Sequence, residues 1–202
     1  YSTNDGKTWY DALQLQVDRP YRRSSERFGW GAGLAVTYAE RSVQGVDGLG
    51  DLFAFPNTRN IPKHPANDEK TRVVANWIMD MPFLYGIQFG GLITLGSGSR
   101  SDVGCPVRFC GAGYERGGFT PKRYNFIVPG AFAYRMVDLR VRKDFPSFRG
   151  TTLGITADLF NAFNFQNFGC FNTGSKTDPN FGKASCVVSD ARRFQLGMEY
   201  NF

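Results

Sequence analysis

The closing stretch ARRFQLGMEYNF (191–202) alternates apolar and polar residues: Phe194, Leu196, Met198, Tyr200 and Phe202 against Gln195, Gly197, Glu199 and Asn201. A two-residue period places successive side chains on opposite faces of an extended chain, so the stretch is expected to be a strand with one apolar and one polar face. Six further runs upstream share the pattern. Leu13, Leu15 and Val17 alternate with Gln14, Gln16 and Asp18 (about 9–19), and Trp30 to Tyr38 alternate with a Gly- and Thr-bearing face (about 28–41). Val73 to Met81 oppose Asn76 and Asp80 (about 71–81), and Ile87, Phe89, Ile93 and Leu95 oppose Gln88 and Thr94 (about 84–96). Val137, Leu139 and Val141 oppose Asp138, Arg140, Arg142 and Asp144 (about 135–145), and Leu153 to Leu159 oppose Thr156 and Asp158 (about 151–163). The fold class is therefore expected to be all-β and antiparallel.

Composition narrows the reading. Across 202 residues there are 19 Phe, 9 Tyr, 3 Trp and 24 Gly, yet mean hydropathy is only -0.33. No uncharged apolar stretch reaches the ~18 residues of a membrane helix. The most apolar segment, residues 78–96, is interrupted by Asp80, Pro82 and glycines. The formal charge of +6 is spread along the chain rather than gathered on one element, which argues against nucleic-acid binding. Residues 1–14 show no leader pattern.

Connections alternate in length. Short links (PYRRSSER, PF and PSFRG) join strands one to two, three to four and five to six, while long segments at about 42–70, 97–134 and 164–190 separate these pairs. Short turns at one end and long loops at the other are the pattern of a transmembrane β-barrel, whose apolar face meets lipid and whose polar face lines the lumen. Asn76, Asp80, Gln88, Asp138, Arg140, Arg142, Asp158, Gln195 and Glu199 are then expected to face the lumen, where they could form cross-strand ion pairs, bind a plug or line a solute path. Aromatics near strand ends (Trp9, Trp30, Tyr38, Tyr85, Tyr200, Phe202) would form interface girdles. A secreted, disulfide-bonded β-sandwich binding module also alternates, but it leaves such long loops unexplained. Seven strands is an odd number, whereas single-chain bacterial barrels have even counts; residues 1–202 are accordingly expected to be the carboxyl-terminal part of a larger barrel.

Chemistry-bearing motifs are sparse. His64 is the only histidine and stands near no nucleophile motif; Asp68 and Glu69 adjoin Lys70 and Arg72 as a solvated charge run; GSGSR (96–100) lacks the lysine of a phosphate loop. Neither catalysis, a cofactor nor a metal site is expected. Cys105, Cys110, Cys170 and Cys186 lie in two spaced pairs without zinc-site spacing and are expected to form two local disulfides in an oxidising compartment. The loop aromatics Phe109, Tyr114, Phe119, Tyr124 and Phe171 read either as ligand-facing or as packed among the loops.

YDALQLQVDRPY (10–21), WIMDMPFLYGIQFGGLITLGSGSRSDV (77–103), MVDLRVRKDF (136–145), LGITADLFNAFNFQNFG (153–169) and the terminal ARRFQLGMEYNF, in this order and spacing, resemble the end of TonB-dependent outer-membrane receptors. The type is the Oar-like receptors with a carboxypeptidase-regulatory-like domain. The resemblance implies a barrel of about 22 strands, a plug, an energised TonB partner, and a place in the cell outer membrane. It implies that Phe194, Leu196, Met198, Tyr200 and Phe202 form the signal read by the barrel-assembly machinery. It further implies energy-dependent transport of a bulky ligand captured by the extracellular loops, with a passive porin-like channel as the alternative.

Overall fold

A computed structural model of the chain describes residues 6–22, 28–44, 63–66, 68–99, 123–147, 150–172 and 178–202. Seven long strands follow one another as an antiparallel meander: β1 (Lys7–Arg22), β2 (Trp30–Gln44), β4 (Thr71–Met81), β5 (Ile87–Gly96), β8 (Tyr134–Pro146), β9 (Thr152–Phe160) and β12 (Arg193–Asn201). The two-residue β3 (His64–Pro65) adds to the outer part of β2. Among the described residues the sheet is open: β1 and β12 are its two edges and do not pair with each other.

All seven expected strands are present, with two shortened. The fourth begins at Ile87, not near 84, because Pro82–Leu84 forms a 3-10 turn and the chain reverses through Tyr85 (φ 56°) and Gly86 (φ 70°). Left-handed backbone of this kind suits glycine and closes the short connection tightly. The sixth ends at Phe160, not 163, because Asn161 takes φ 49° and breaks the ladder.

The three long segments carry structure that alternation did not reveal. Besides β3, hairpin β6 (Tyr124–Phe126)–β7 (Val128–Phe132) lies between β5 and β8, and hairpin β10 (Phe168–Phe171)–β11 (Ala184–Val187) lies between β9 and β12. These runs of three to five residues are too short for a period to be read.

The pairing register carries the two-face chemistry across all seven strands. Residues directly opposite each other in an antiparallel ladder share a face. Asp18↔Gly33↔Asn76↔Leu92↔Asp138 is one continuous row, and Gln88↔Arg142↔Thr156↔Gly197 is another. Every residue of the polar set named above falls on this one face. On the opposite face, Leu15↔Val36↔Val73↔Leu95 and Phe89↔Val141↔Ala157↔Leu196 continue from strand to strand.

Glycines on both faces make room for large neighbours. A Cβ on Gly91 would stand 2.3 Å from the Trp77 ring, which lies across it from the paired strand, and a Cβ on Gly33 would meet Asn76 and Asp18. Gly91→Val should therefore lift the Trp77 ring off the sheet, cost about 1–3 kcal/mol and shift the Trp77 emission. Unfolding of the variant in detergent, followed by tryptophan fluorescence, checks both; an unchanged midpoint and spectrum would contradict this packing.

Candidate membrane-facing surface and loop clefts

The apolar face has no covering layer among the described residues. Leu13 is 71 % exposed, Leu196 67 % and Met198 78 %, far beyond the scattered exposure that water-facing surfaces carry. The long-loop end of the face is the exception: Leu95 and Val137 of this face are buried there, beside Phe132 and Ala133.

Charge on this face obeys a spacing. On β1 the uncharged run Leu13, Leu15, Val17 is bounded by Asp11 and Arg19; on β8 the run Val137, Leu139, Val141 is bounded by Arg135 and Lys143. On β2 Trp30 and Tyr38 stand the same eight residues apart. Eight strand residues span about 26 Å, close to the ~25 Å height of a barrel's apolar band. Aromatics border the run at both levels: Trp9, Tyr38 and Phe194 toward the long loops, Trp30, Phe145 and Tyr200 toward the short turns. Tyr85, expected among them, stands in the turn itself and is fully out at 87 % exposure. The bordering cations lie on rings, Arg19 at 3.7 Å over Trp30 and Lys143 at 5.7 Å over Phe145. Such stems can lie along apolar surface with the charge lifted toward water.

The polar face is a network. Asp158, 5 % exposed, takes two hydrogen bonds from Arg140 (2.5 and 3.0 Å). Arg142 reaches Asp144 (2.9 Å) and, across Gly154 on the intervening strand, Glu199 (2.8 Å). Asp80 accepts from Tyr21 and from Gln88 (3.0 Å). Asp138 accepts the backbone N–H of Asn161 (2.8 Å). Of the uses open to these charges, cross-strand pairing is thus present. Gln195 sits opposite Asp158 and Asn76 opposite Gly33.

At the long-loop end the charge run Asp68–Arg72 is exposed to solvent and also paired. Arg41 grips Asp68 with two bonds (2.5 and 3.1 Å), Lys70 binds Glu40 (2.8 Å), and Glu69 meets Arg72 (3.3 Å) and the Gly98 N–H (3.2 Å). Half-exposed pairs of this kind contribute about 0–1 kcal/mol each, so their effect is mainly to seat the segment entering β4.

Three asparagines at three-residue spacing, Asn161, Asn164 and Asn167, bind the last loop together. Asn161 is 1 % exposed; its carbonyl accepts from the Phe165 N–H (2.8 Å) and its amide donates to the Phe165 and Asp190 carbonyls (2.9 and 2.8 Å). Asn167, equally buried, exchanges two 2.8 Å bonds with the Arg135 backbone, replacing the ladder that β9 has left. Asn164 accepts from the Arg192 N–H (3.1 Å). Alternation could not single these residues out; their regular spacing in FNAFNFQN was the available signal.

Above them the Arg135 guanidinium lies between the Tyr124 and Phe165 rings, at 4.1 and 4.3 Å from their centroids. Burial pushes the Tyr124 phenol above its ordinary value, with the Arg135 charge pulling the other way. Tyr124 and Phe171, two of the aromatics singled out as ligand-facing or loop-packed, come from different long segments and line one cleft of about 270 Å³ with Phe168 and Lys183. The Tyr124 ring stacks on Arg135 and also walls the cleft. Phe109, Tyr114, Phe119, Cys105 and Cys110 lie outside the described residues.

Cys170 and Cys186 form a disulfide, as expected, joining β10 to β11 beside the cleft. No group of His, Cys, Asp and Glu able to hold a metal ion occurs among the described residues. No helix among them is long and apolar enough to cross a membrane, which leaves strands untouched as spanning elements. No known protein family, curated protein or solved structure matches the chain.

The disulfide closes a separation of 16 residues, for which loop-entropy arguments give about 3 kcal/mol. Replacing Cys170 and Cys186 together by Ser should speed protease cleavage between 171 and 184 while leaving the unfolding midpoint of the main sheet in place; equal cleavage rates would show the crosslink to be dispensable. In the same loop the Asp178 carboxyl is held below its ordinary value, first by the Asn180 backbone N–H and then by the Asn172 amide. A lowered folded value means that its contribution is complete above the ordinary carboxylate range and fades as pH falls through the lowered value. Protease resistance of 171–184 should therefore be full at neutral pH and decline only in strong acid, and the Asp178→Asn variant should lose that acid step.

Proposed function

We propose that this chain is wall and mouth of a transmembrane β-barrel in the cell outer membrane, part of a TonB-dependent receptor that moves a bulky ligand. One observation carries the membrane reading. An apolar face, covered only at its long-loop end, runs across seven strands and confines its charges to two levels about 26 Å apart. In water so large an apolar surface favours association or aggregation. In a bilayer the same face is satisfied, because the backbone polar groups between neighbouring strands are already paired along the ladders. A charged side chain at mid-depth would cost about 2–4 kcal/mol, which accounts for the empty zone between Asp11 and Arg19 and between Arg135 and Lys143.

The open edges β1 and β12 call for further strands on either side, since lipid-exposed edges do not occur in hydrocarbon. The polar face then lines a lumen, with the Arg140–Asp158 and Arg142–Glu199 pairs bracing the wall. The Tyr124–Phe171 cleft, held by the disulfide, belongs to the ligand-facing mouth. Receptor function, as opposed to a passive channel, rests on the motif order that resembles Oar-like receptors. The terminal alternating stretch serves, in this reading, as the signal for the barrel-assembly machinery.

In vesicles whose acyl chains carry bromine, Trp77 of the full-length protein should be strongly quenched, and Trp77→Phe should remove that quenchable component. A Trp77 emission indifferent to brominated lipid would reject the bilayer reading. Planar-bilayer recording separates the receptor from the passive channel: a plugged receptor gives no steady open conductance, whereas a porin-like channel conducts in proportion to voltage.

A further inference from the structure

Where the apolar face meets the long loops, an open cleft of about 520 Å³ begins. Its floor is the end of the apolar face itself: Tyr38, Thr71 and Val73, which are mutual ladder neighbours or lie one row apart on that face. Its roof is Phe132 of β7, and its polar rim carries Lys70 and Arg123. The cleft is therefore amphipathic in one direction. It is apolar where it continues the band proposed to face acyl chains, and cationic just beyond that band.

The charges at the rim are not equivalent. Lys70 is bonded to Glu40 (2.8 Å). Asp68, the one carboxylate in the lining, has both oxygens occupied by Arg41. Arg123 makes no hydrogen bond or ion pair with any described residue, so among the described residues its guanidinium is the one charge of the cleft without a partner. A planar guanidinium with free donors matches the geometry of a phosphate and binds it through two parallel hydrogen bonds.

We infer that this cleft holds a lipid with an anionic phosphate headgroup, its phosphate on Arg123 and its chains running down the Tyr38–Val73 face. Continuity with the apolar face selects a lipid over a free anion, and the unpaired guanidinium selects an anionic headgroup over a zwitterionic one. The inference rests on the membrane reading proposed above.

Native mass spectrometry of the full-length protein, extracted in mild detergent after reconstitution in phosphatidylcholine with or without phosphatidylglycerol, tests it. The protein should retain phosphatidylglycerol in preference to phosphatidylcholine. Arg123→Gln should weaken that retention about tenfold, the scale of one charge-assisted hydrogen bond. Arg192→Gln, a loop arginine outside the cleft, should leave it unchanged. Equal retention of the two lipids, or an undiminished preference in Arg123→Gln, would overturn the lipid site while leaving the membrane reading intact. Displacement of phosphatidylglycerol by millimolar inorganic phosphate would make this a phosphate site and likewise overturn it. Failure of the protein to enter either bilayer would overturn the membrane reading itself, and this inference with it.

Discussion

Seven strands pair in sequence order, each antiparallel to the last, and the side-chain chemistry of every strand depends on the register of those ladders. With a period of two, a slip of one residue in any ladder would turn that strand's apolar set to the opposite face. Among the described residues no second sheet packs across these strands, so register rests on the ladders, the turns and the side chains that cross them. Arg142 spans from β8 over Gly154 to Glu199 on β12, Arg140 clamps Asp158, and Trp77 lies flat on Gly91. Gly33 and Gly154 on the polar face and Gly91 on the apolar face thus have a packing purpose: each leaves the space into which a larger neighbour leans.

The two ends of the sheet are built differently. At the short-turn end the chain reverses within a few residues, as at Pro82–Gly86, and little is added. At the long-loop end the ladder is continued by substitutes. Asn167 pairs with the Arg135 backbone where β9 has ended, Asn161 ties the outgoing chain to the incoming one at Asp190, and the Cys170–Cys186 bridge closes the last hairpin. Two clefts lie at this end, one walled by aromatics from separate loops and one continuous with the apolar face. Order in a loop before binding lowers the entropic cost of any later contact, and these asparagines and the disulfide supply such order.

The opposite chemistries of the two faces constrain the protein's surroundings as much as its fold. An apolar face of this extent asks for lipid or for protein, and its charge-free zone has the height of a bilayer's hydrocarbon. Paired arginines and carboxylates on the other face sit easily beside water. The proposal of a barrel wall joins these facts with the two open edges. The proposal of a TonB-dependent receptor draws on motif order alone, and the bilayer and conductance experiments address the two separately.

The seven long strands, their order in the chain, their face chemistry and the alternation of short and long connections were all legible in the sequence, because a period of two needs no knowledge of distant contacts. The cysteine pair 170/186 was legible for a similar reason, its partners being close in the chain. Register and the Arg142–Glu199 link were not, because each compares positions on different strands, and only the ladders align them. The short hairpins β6–β7 and β10–β11 were invisible for want of length. The meeting of Tyr124 with Phe171, and of Arg123 with the Tyr38–Val73 floor, joins residues dozens of positions apart. Such a meeting is decided by how the loops fold back over the sheet, which only the tertiary structure determines.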